Sequence, residues 1–227
     1  MKIHFLALAF ICLASPAFAQ FHIGMSAGPN ISFWEWEIKS FGYNLNYDAA
    51  MGWRTALLGE WQIAPWIGVR AETGLNTKVN KRISYLVFES DLLAGNFKGS
   101  RWIFRENFQY WESSLLVQIN PVKRYRWAYL FSGCSSAWLQ YAWRRTKGSE
   151  TGIKHNSREP IDFKAPNWNR NTFSADFGLG ANIPLNARGK LKVEGRFQYG
   201  LSNLSTSNEV DARVSSLLLN LGYLQRL

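Results

Sequence analysis

Between residues 190 and 202 the chain alternates between two kinds of side chain. Leu191, Val193, Gly195, Phe197, Tyr199 and Leu201 fall on one parity, and Lys192, Glu194, Arg196, Gln198 and Gly200 on the other. A helix would scatter both classes around its circumference, so a period of two predicts a strand with a different solvent on each side. The stretch is about ten residues long, the length of a tilted strand that crosses a bilayer.

Seven further segments carry the same pattern. Residues 21–33 set Phe21, Ile23, Met25, Ala27, Ile31 and Phe33 against His22, Gly24, Ser26, Gly28 and Asn30. In 51–62, Trp53, Thr55, Leu57 and Trp61 oppose Arg54 and Glu60. In 66–78, Ile67, Val69, Ala71, Thr73 and Leu75 oppose Arg70, Glu72, Asn76 and Lys78. In 108–119, Trp111, Leu115, Val117 and Ile119 oppose Glu112, Ser114 and Gln118. In 127–143, Tyr129, Phe131, Leu139, Tyr141 and Trp143 form the apolar face, and the small residues Ser132, Cys134 and Ser136 the other. In 173–185, Phe173, Ala175, Phe177, Leu179, Ala181 and Ile183 oppose Ser174, Asp176, Gly178, Gly180 and Asn182. In 214–227, Leu217, Leu219, Leu221 and Tyr223 oppose Ser216, Asn220 and Gly222. Eight strands is an even number, which puts both ends of the chain on one side of a barrel.

The connections alternate in length. The turns at Ala64-Pro65, 120–126 and 186–189 are short, and proline or glycine ends the ladder at each. The segments 34–47, 79–107, 144–171 and 203–211 are longer and polar, and are read as loops. Tyr85 to Phe88 is an apolar piece that extends the second of these hairpins beyond the membrane. Short turns on one side and long loops on the other are the outer-membrane habit. Aromatic spacing agrees. Trp53 and Trp61 lie eight residues apart on one face. At about 3.3 Å per residue and about 40° tilt their axial separation is roughly 20 Å, and Tyr129 and Tyr141 give roughly 30 Å. An apolar band of about 25 Å falls between, so these rings suit the two headgroup levels.

The polar face carries both signs of charge: Arg54, Glu60, Arg70, Glu72, Glu112, Asp176, Lys192, Glu194 and Arg196. A soluble lipocalin-like barrel would turn its apolar face inward and leave these in water. In a small membrane barrel the lumen is filled by side chains, where opposite charges pair. The predicted fold is therefore all-β: an eight-stranded antiparallel up-and-down transmembrane β-barrel after a cleaved signal peptide. A periplasmic or secreted lipocalin-like carrier of small molecules is the alternative.

Composition supports export. Lys2 and His4 precede an apolar run from Phe5 to Leu13, too short for a spanning helix, and Ala17-Phe18-Ala19 forms a small-x-small cleavage site. Residues 1–19 read as the signal peptide and 20–227 as one barrel domain, with Cys12 leaving with the signal. Cys134 then stands alone, which excludes an internal disulfide framework; it is read as a small buried or lumen-facing residue. The chain has 227 residues, 15% aromatic, with eleven tryptophans. Mean hydropathy is −0.20, as expected where apolar residues alternate instead of running together. The formal charge is +10, falling to about +9 once Lys2 leaves. A basic balance ordinarily raises nucleic acid as a partner. An exported chain rarely meets nucleic acid. Outer-membrane lipids and lipopolysaccharide are the more natural counter-charge.

Several strand motifs resemble the PorT-like outer-membrane β-barrel family across essentially the whole mature chain. Tyr110-Trp-Glu-Ser-Ser-Leu-Leu-Val-Gln118 is similar to that family's "YLEIPLLLK" strand. Tyr129-Leu-Phe-Ser-Gly133, Asp176-Phe-Gly-Leu-Gly180, Arg196-Phe-Gln-Tyr-Gly-Leu-Ser-Asn203 and Leu219-Asn-Leu-Gly-Tyr-Leu224 resemble its later strands. Ser114 stands where the family has proline, and Leu227 where bacterial barrels often end on an aromatic. The resemblance implies an integral protein of the cell outer membrane, with secretion-machinery proteins as partners.

Catalytic chemistry is not legible. His22 and His155 form no ligand-spaced cluster with Cys134, and there is no nucleophile elbow, phosphate loop or dinucleotide fingerprint. Gly178 and Gly180 have no following helix and are read as relieving crowding in the lumen. Glu72, Glu112 and Glu194 raise paired catalytic acids, as an outer-membrane lipid-modifying enzyme would need. Their neighbours Arg54, Arg70 and Arg196 favour structural ion pairs instead. No catalytic, cofactor or metal site is predicted. The basic loops, with Trp102, Phe104 and Trp168, leave room for a binding role.

Overall fold

A computed structural model describes residues 20–39, 43–86, 100–121, 127–150, 153–161 and 168–227. The predicted signal peptide, 1–19, lies outside the described residues. Ten strands follow in order: β1 (Gln20–Ile38), β2 (Tyr43–Asn46), β3 (Asp48–Ala64), β4 (Ile67–Leu86), β5 (Ser100–Ile119), β6 (Ala128–Glu150), β7 (Ile153–Pro160), β8 (Asn171–Pro184), β9 (Gly189–Gly200) and β10 (Val210–Arg226). Eight of them close a ring in the order β1, β3, β4, β5, β6, β8, β9, β10, with β10 pairing back onto β1. Every pairing is antiparallel, and the β10–β1 pairing joins the first strand to the last, so closure leaves the ring without an edge. β2 and β7 add to the outer ends of β1 and β6.

The ring has its apolar side outward. Met25, Leu57 and Leu179 are 62–65% exposed, whereas Glu60, Arg70 and Arg196 are 0% exposed. An apolar surface on this scale would aggregate in water, so lipid is the solvent it fits. Trp61, Trp66 and Trp127 ring the short-turn end, and Trp53, Trp111, Trp138 and Tyr141 lie outward toward the long-strand end. The lipocalin alternative needs the reverse orientation and is not favoured.

The predicted strands are present, but several are longer. β4 and β5 stay paired from Lys78 and Phe108 out to Leu86 and Ser100, across a segment expected to be loop. β6 runs on to Glu150 and pairs with β7, and β1 pairs with β2 within the expected loop 34–47. Beyond the membrane both faces of a strand meet water, so hydropathy loses its period while backbone pairing continues. Tyr85 belongs to this extension; Phe88 lies outside the described residues.

The facing of β6 differs from expectation. Tyr129, Phe131 and Leu139 are buried inside the barrel, and Ser132, Cys134 and Ser136 face outward. Tyr129 is therefore no part of the outer aromatic girdle, and Cys134 is exposed on the wall instead of buried. The cause is a bulge. Tyr110 pairs with Leu139 but Gln109 with Tyr141, so one residue of β6 is extra and the strand changes parity there. Beyond the bulge Tyr141 faces out as expected. A one-residue slip moves every side chain to the other face.

Candidate functional site: the filled lumen

Among the described residues, five buried carboxylates face five buried cations inside the ring: Glu60, Glu72, Glu112, Asp176 and Glu194 against Arg54, Arg70, Lys78, Lys192 and Arg196. Each sits on an inward position of its strand, because even positions of β3, β4, β5, β8 and β9 point away from lipid. An isolated buried charge is costly, and eight of the ten are held in ion pairs. Lys78 lies 5.7 Å from the Tyr110 ring centre instead, and the Asp176 oxygens have no hydrogen-bond partner among the described residues.

Glu72 is the centre of the network. Both of its oxygens accept from Arg196 Nη2, at 2.8 and 2.7 Å. Arg54 Nη2 donates to Glu72 Oε2 at 2.7 Å, and Arg54 Nε to Glu112 Oε1 at 3.0 Å. Arg70 Nε stands 2.8 Å from Glu72 Oε1, and the other end of that guanidinium meets Glu194. Asn76 Nδ2 donates to the second oxygen of Glu112 at 2.8 Å. Tyr129 Oη donates to Glu194 Oε1 at 2.6 Å. Nearer the short turns, Lys190 and Lys192 each reach one oxygen of Glu60 at 2.5 Å.

Two aromatic rings complete the packing. The guanidinium carbons of Arg70 and Arg196 lie 5.0 and 5.4 Å from the Phe131 ring centre, and Lys192 Nζ 5.0 Å from that of Tyr129. Such contacts stabilise cations that have left water. Gly178 and Gly180 make the room. They pair across the strands with Phe131 and Tyr129, and a Cβ there would come within 2.3 and 2.4 Å of those rings. The expectation that these glycines relieve crowding is met, with the rings now named.

The lumen is capped at the long-strand end by apolar side chains. Trp34, Phe108, Tyr110, Leu139, Ala142, Leu204, Ala212 and Val214 form one buried cluster, with Trp36 and Trp168 packed against it. Trp34 lies tilted against Phe108, 4.7 Å between ring centres, and donates its Nε1–H to the Val79 carbonyl at 3.1 Å. The segment after β9, expected as a polar loop, folds into this mouth. Leu204 is buried, and Asn203 Oδ1 accepts from Ala212 and Ser205 backbone N–H groups at 2.8 and 2.9 Å. At the opposite end a polar vestibule of about 540 Å³, lined by His22, Gln62, Gln118, Asn182 and Lys190 among others, stops at the Lys190–Glu60 pair.

The carboxylates singled out in the sequence, Glu72, Glu112 and Glu194, are brought together and each is engaged by arginine or its neighbours. The loop aromatics are not brought together. Trp168 packs in the mouth, Trp102 stacks 5.4 Å from His155 and Phe104 lies under Arg82. The inward-facing Tyr129 and Phe131 went unrecognised. The signal that identifies them is the pair of glycines two apart in the neighbouring strand, a spacing that accommodates rings from across the ladder. Among the described residues no group of three His, Cys, Asp or Glu side chains is placed to hold a metal ion.

No protein-family model matches the chain, and no curated protein does. Solved structures similar to it include Neisserial surface protein A, at 11% identity over 92% of this chain and 99% of that one, with a TM-score of 0.44. The outer membrane protein OprG of Pseudomonas aeruginosa is similar at 10% identity over 92% and 97%, with a TM-score of 0.46. The outer membrane protease OmpT of Escherichia coli is similar at 7% identity over the same shares, also at 0.46. The fold itself rests on this chain's own ring of eight paired strands, apolar outside and charged within.

Proposed function

We propose that this chain is an integral outer-membrane β-barrel without enzymatic activity, whose work is structural or interactive and is done by its wall and its long-strand end. One observation carries the reading: paired charges and an aromatic cap occupy the lumen from the vestibule to the mouth. A solute path and a catalytic cleft both need open space, and among the described residues side chains crowd the middle of the ring. Glu72, Glu112 and Glu194 are tied into ion pairs, which makes these three carboxylates poor candidates for the free acid and base that hydrolysis or transfer would require. Loss of a lipid A modification on deletion of the gene would overturn the non-enzymatic reading.

The strand motifs that resemble the PorT-like family suggest the finer assignment, a component of a protein-secretion apparatus of the type IX kind. Affinity capture from detergent-solubilised outer membranes tests it. Stable co-purification of secretion components is the expected result. Recovery of the barrel alone, with secretion intact in a deletion strain, would overturn it. Release of the processed protein by osmotic shock without detergent would instead restore the soluble-carrier alternative.

A further inference from the structure

Past the aromatic band, β4, β5, β6 and β7 continue as one four-stranded sheet. The register places Lys81 opposite Arg105, Arg105 opposite Arg145, and Arg145 opposite Arg158. Residues directly opposite share a face. On β4 that face is the odd parity of Val69 and Leu75, the outer wall of the barrel. Four cations thus stand side by side on neighbouring strands, pointing away from the barrel axis. Like charges directly opposite are destabilising, so the row calls for an anion.

The chain does not supply enough of one. Lys81 Nζ is 3.8 Å from Asp48. Arg105 donates to the Met51 carbonyl at 2.9 Å, Arg145 to Asn156 Oδ1 at 3.2 Å, and Arg158 lies 5.0 Å from the Trp143 ring centre. Among the described residues, no carboxylate comes within 4 Å of Arg105, Arg145 or Arg158. Two acids of the same sheet, Glu106 and Glu159, are both in register with Arg144 and so take the opposite face. Arg144 meets Glu106 there at 2.6 Å. These two acids therefore lie on the face away from the outer row, where Arg144 already meets one of them.

Height identifies what the row meets. Val69 pairs with Trp61 of the lower girdle, and Lys81 lies twelve residues further along β4. That is about 30 Å along the barrel axis at about 3.3 Å per residue and about 40° tilt, against an apolar band of about 25 Å. The row stands at headgroup level, one step beyond Trp143. It spans three strand spacings, about 14 Å, more than one phosphate can bridge. Guanidinium groups bind phosphate oxygens in pairs with good geometry.

We propose that Lys81, Arg105, Arg145 and Arg158 form a lateral site for a lipid headgroup carrying two phosphates, a bisphosphorylated glycolipid of the leaflet around the long-strand end. This rests on the reading of the barrel as a membrane protein. The test reconstitutes the processed chain into phosphatidylcholine vesicles doped with diphosphorylated lipid A, its monophosphorylated form or phosphatidylglycerol, and measures lipid retained per barrel after detergent extraction. The diphosphorylated lipid should be retained preferentially, with affinity falling on the order of a hundredfold in Arg105→Gln/Arg145→Gln/Arg158→Gln. The single variant Arg145→Gln should lose about fivefold, and Arg144→Gln on the opposite face should match the wild type. Equal retention by the triple variant, or equal retention of phosphatidylglycerol and the diphosphorylated lipid, overturns the site and leaves the membrane reading standing. Failure to insert into any vesicle overturns the membrane reading, and the site with it.

Discussion

Glu72 holds three guanidinium groups in a space closed to water, so it is the residue whose removal should cost most. Glu72→Ala leaves Arg54, Arg70 and Arg196 with unbalanced charge. Breaking a buried pair from one side costs about 3–5 kcal/mol. Urea unfolding in lipid vesicles, followed by tryptophan fluorescence, should show a loss of that size. Tyr129→Phe is milder, because it withdraws one donor from Glu194 and leaves the ring over Gly180. About 1–3 kcal/mol is expected by the same measurement. Gly180→Ala should also destabilise. Its Cβ would displace the Tyr129 ring, and that ring cannot move without releasing Glu194. Gly195→Ala is the matched control. Nothing lies within 4 Å of a Cβ there, and the unfolding midpoint should stay put or rise slightly.

At the scale of the strand, each element separates two solvents, and tests of facing can be made one strand at a time. Leu219 on β10 points to lipid, flanked outward by Leu217 and Leu221. Leu219→Arg should cost about 2–4 kcal/mol if it lies near the bilayer midplane, read as the shift in urea midpoint. β6 offers a test that needs no stability measurement. Cys134 is exposed on the outer wall below the bulge. In intact vesicles it should react with an apolar maleimide and resist a charged, membrane-impermeant one. Rapid labelling by the charged reagent would restore the lumen-facing orientation that simple alternation implies.

For the whole molecule, closure of the ring determines what the barrel can transmit. Among the described residues, the charged layer lies between the vestibule and the aromatic cap and crowds the axis of the ring. Planar-bilayer recordings should show no stable large conductance, and a steady open level would contradict the filled lumen. The same closure separates the working surfaces. Lipid meets the wall, the vestibule opens at the short-turn end, and the long-strand end carries the basic sheet face.

Much of this was already determined by the chain's own pattern. Eight period-two segments give eight crossing strands, and the charges on one parity mark the inside for five of them, because a face in lipid cannot carry Arg70, Glu194 or Arg196; uncharged polar and small residues mark it for β1 and β10. β6 escaped that logic. Both its faces are uncharged within the membrane, and its parity changes at a bulge that only the partner strand β5 reveals. The hairpin extensions escaped it as well, since strands bathed by water on both sides show no period. Which charges pair was beyond any local pattern: Arg70 meets Glu194 across 124 positions of sequence. Such contacts, like the burial of Leu204 in the mouth, come into being when β10 closes on β1 and brings distant strands around one narrow axis.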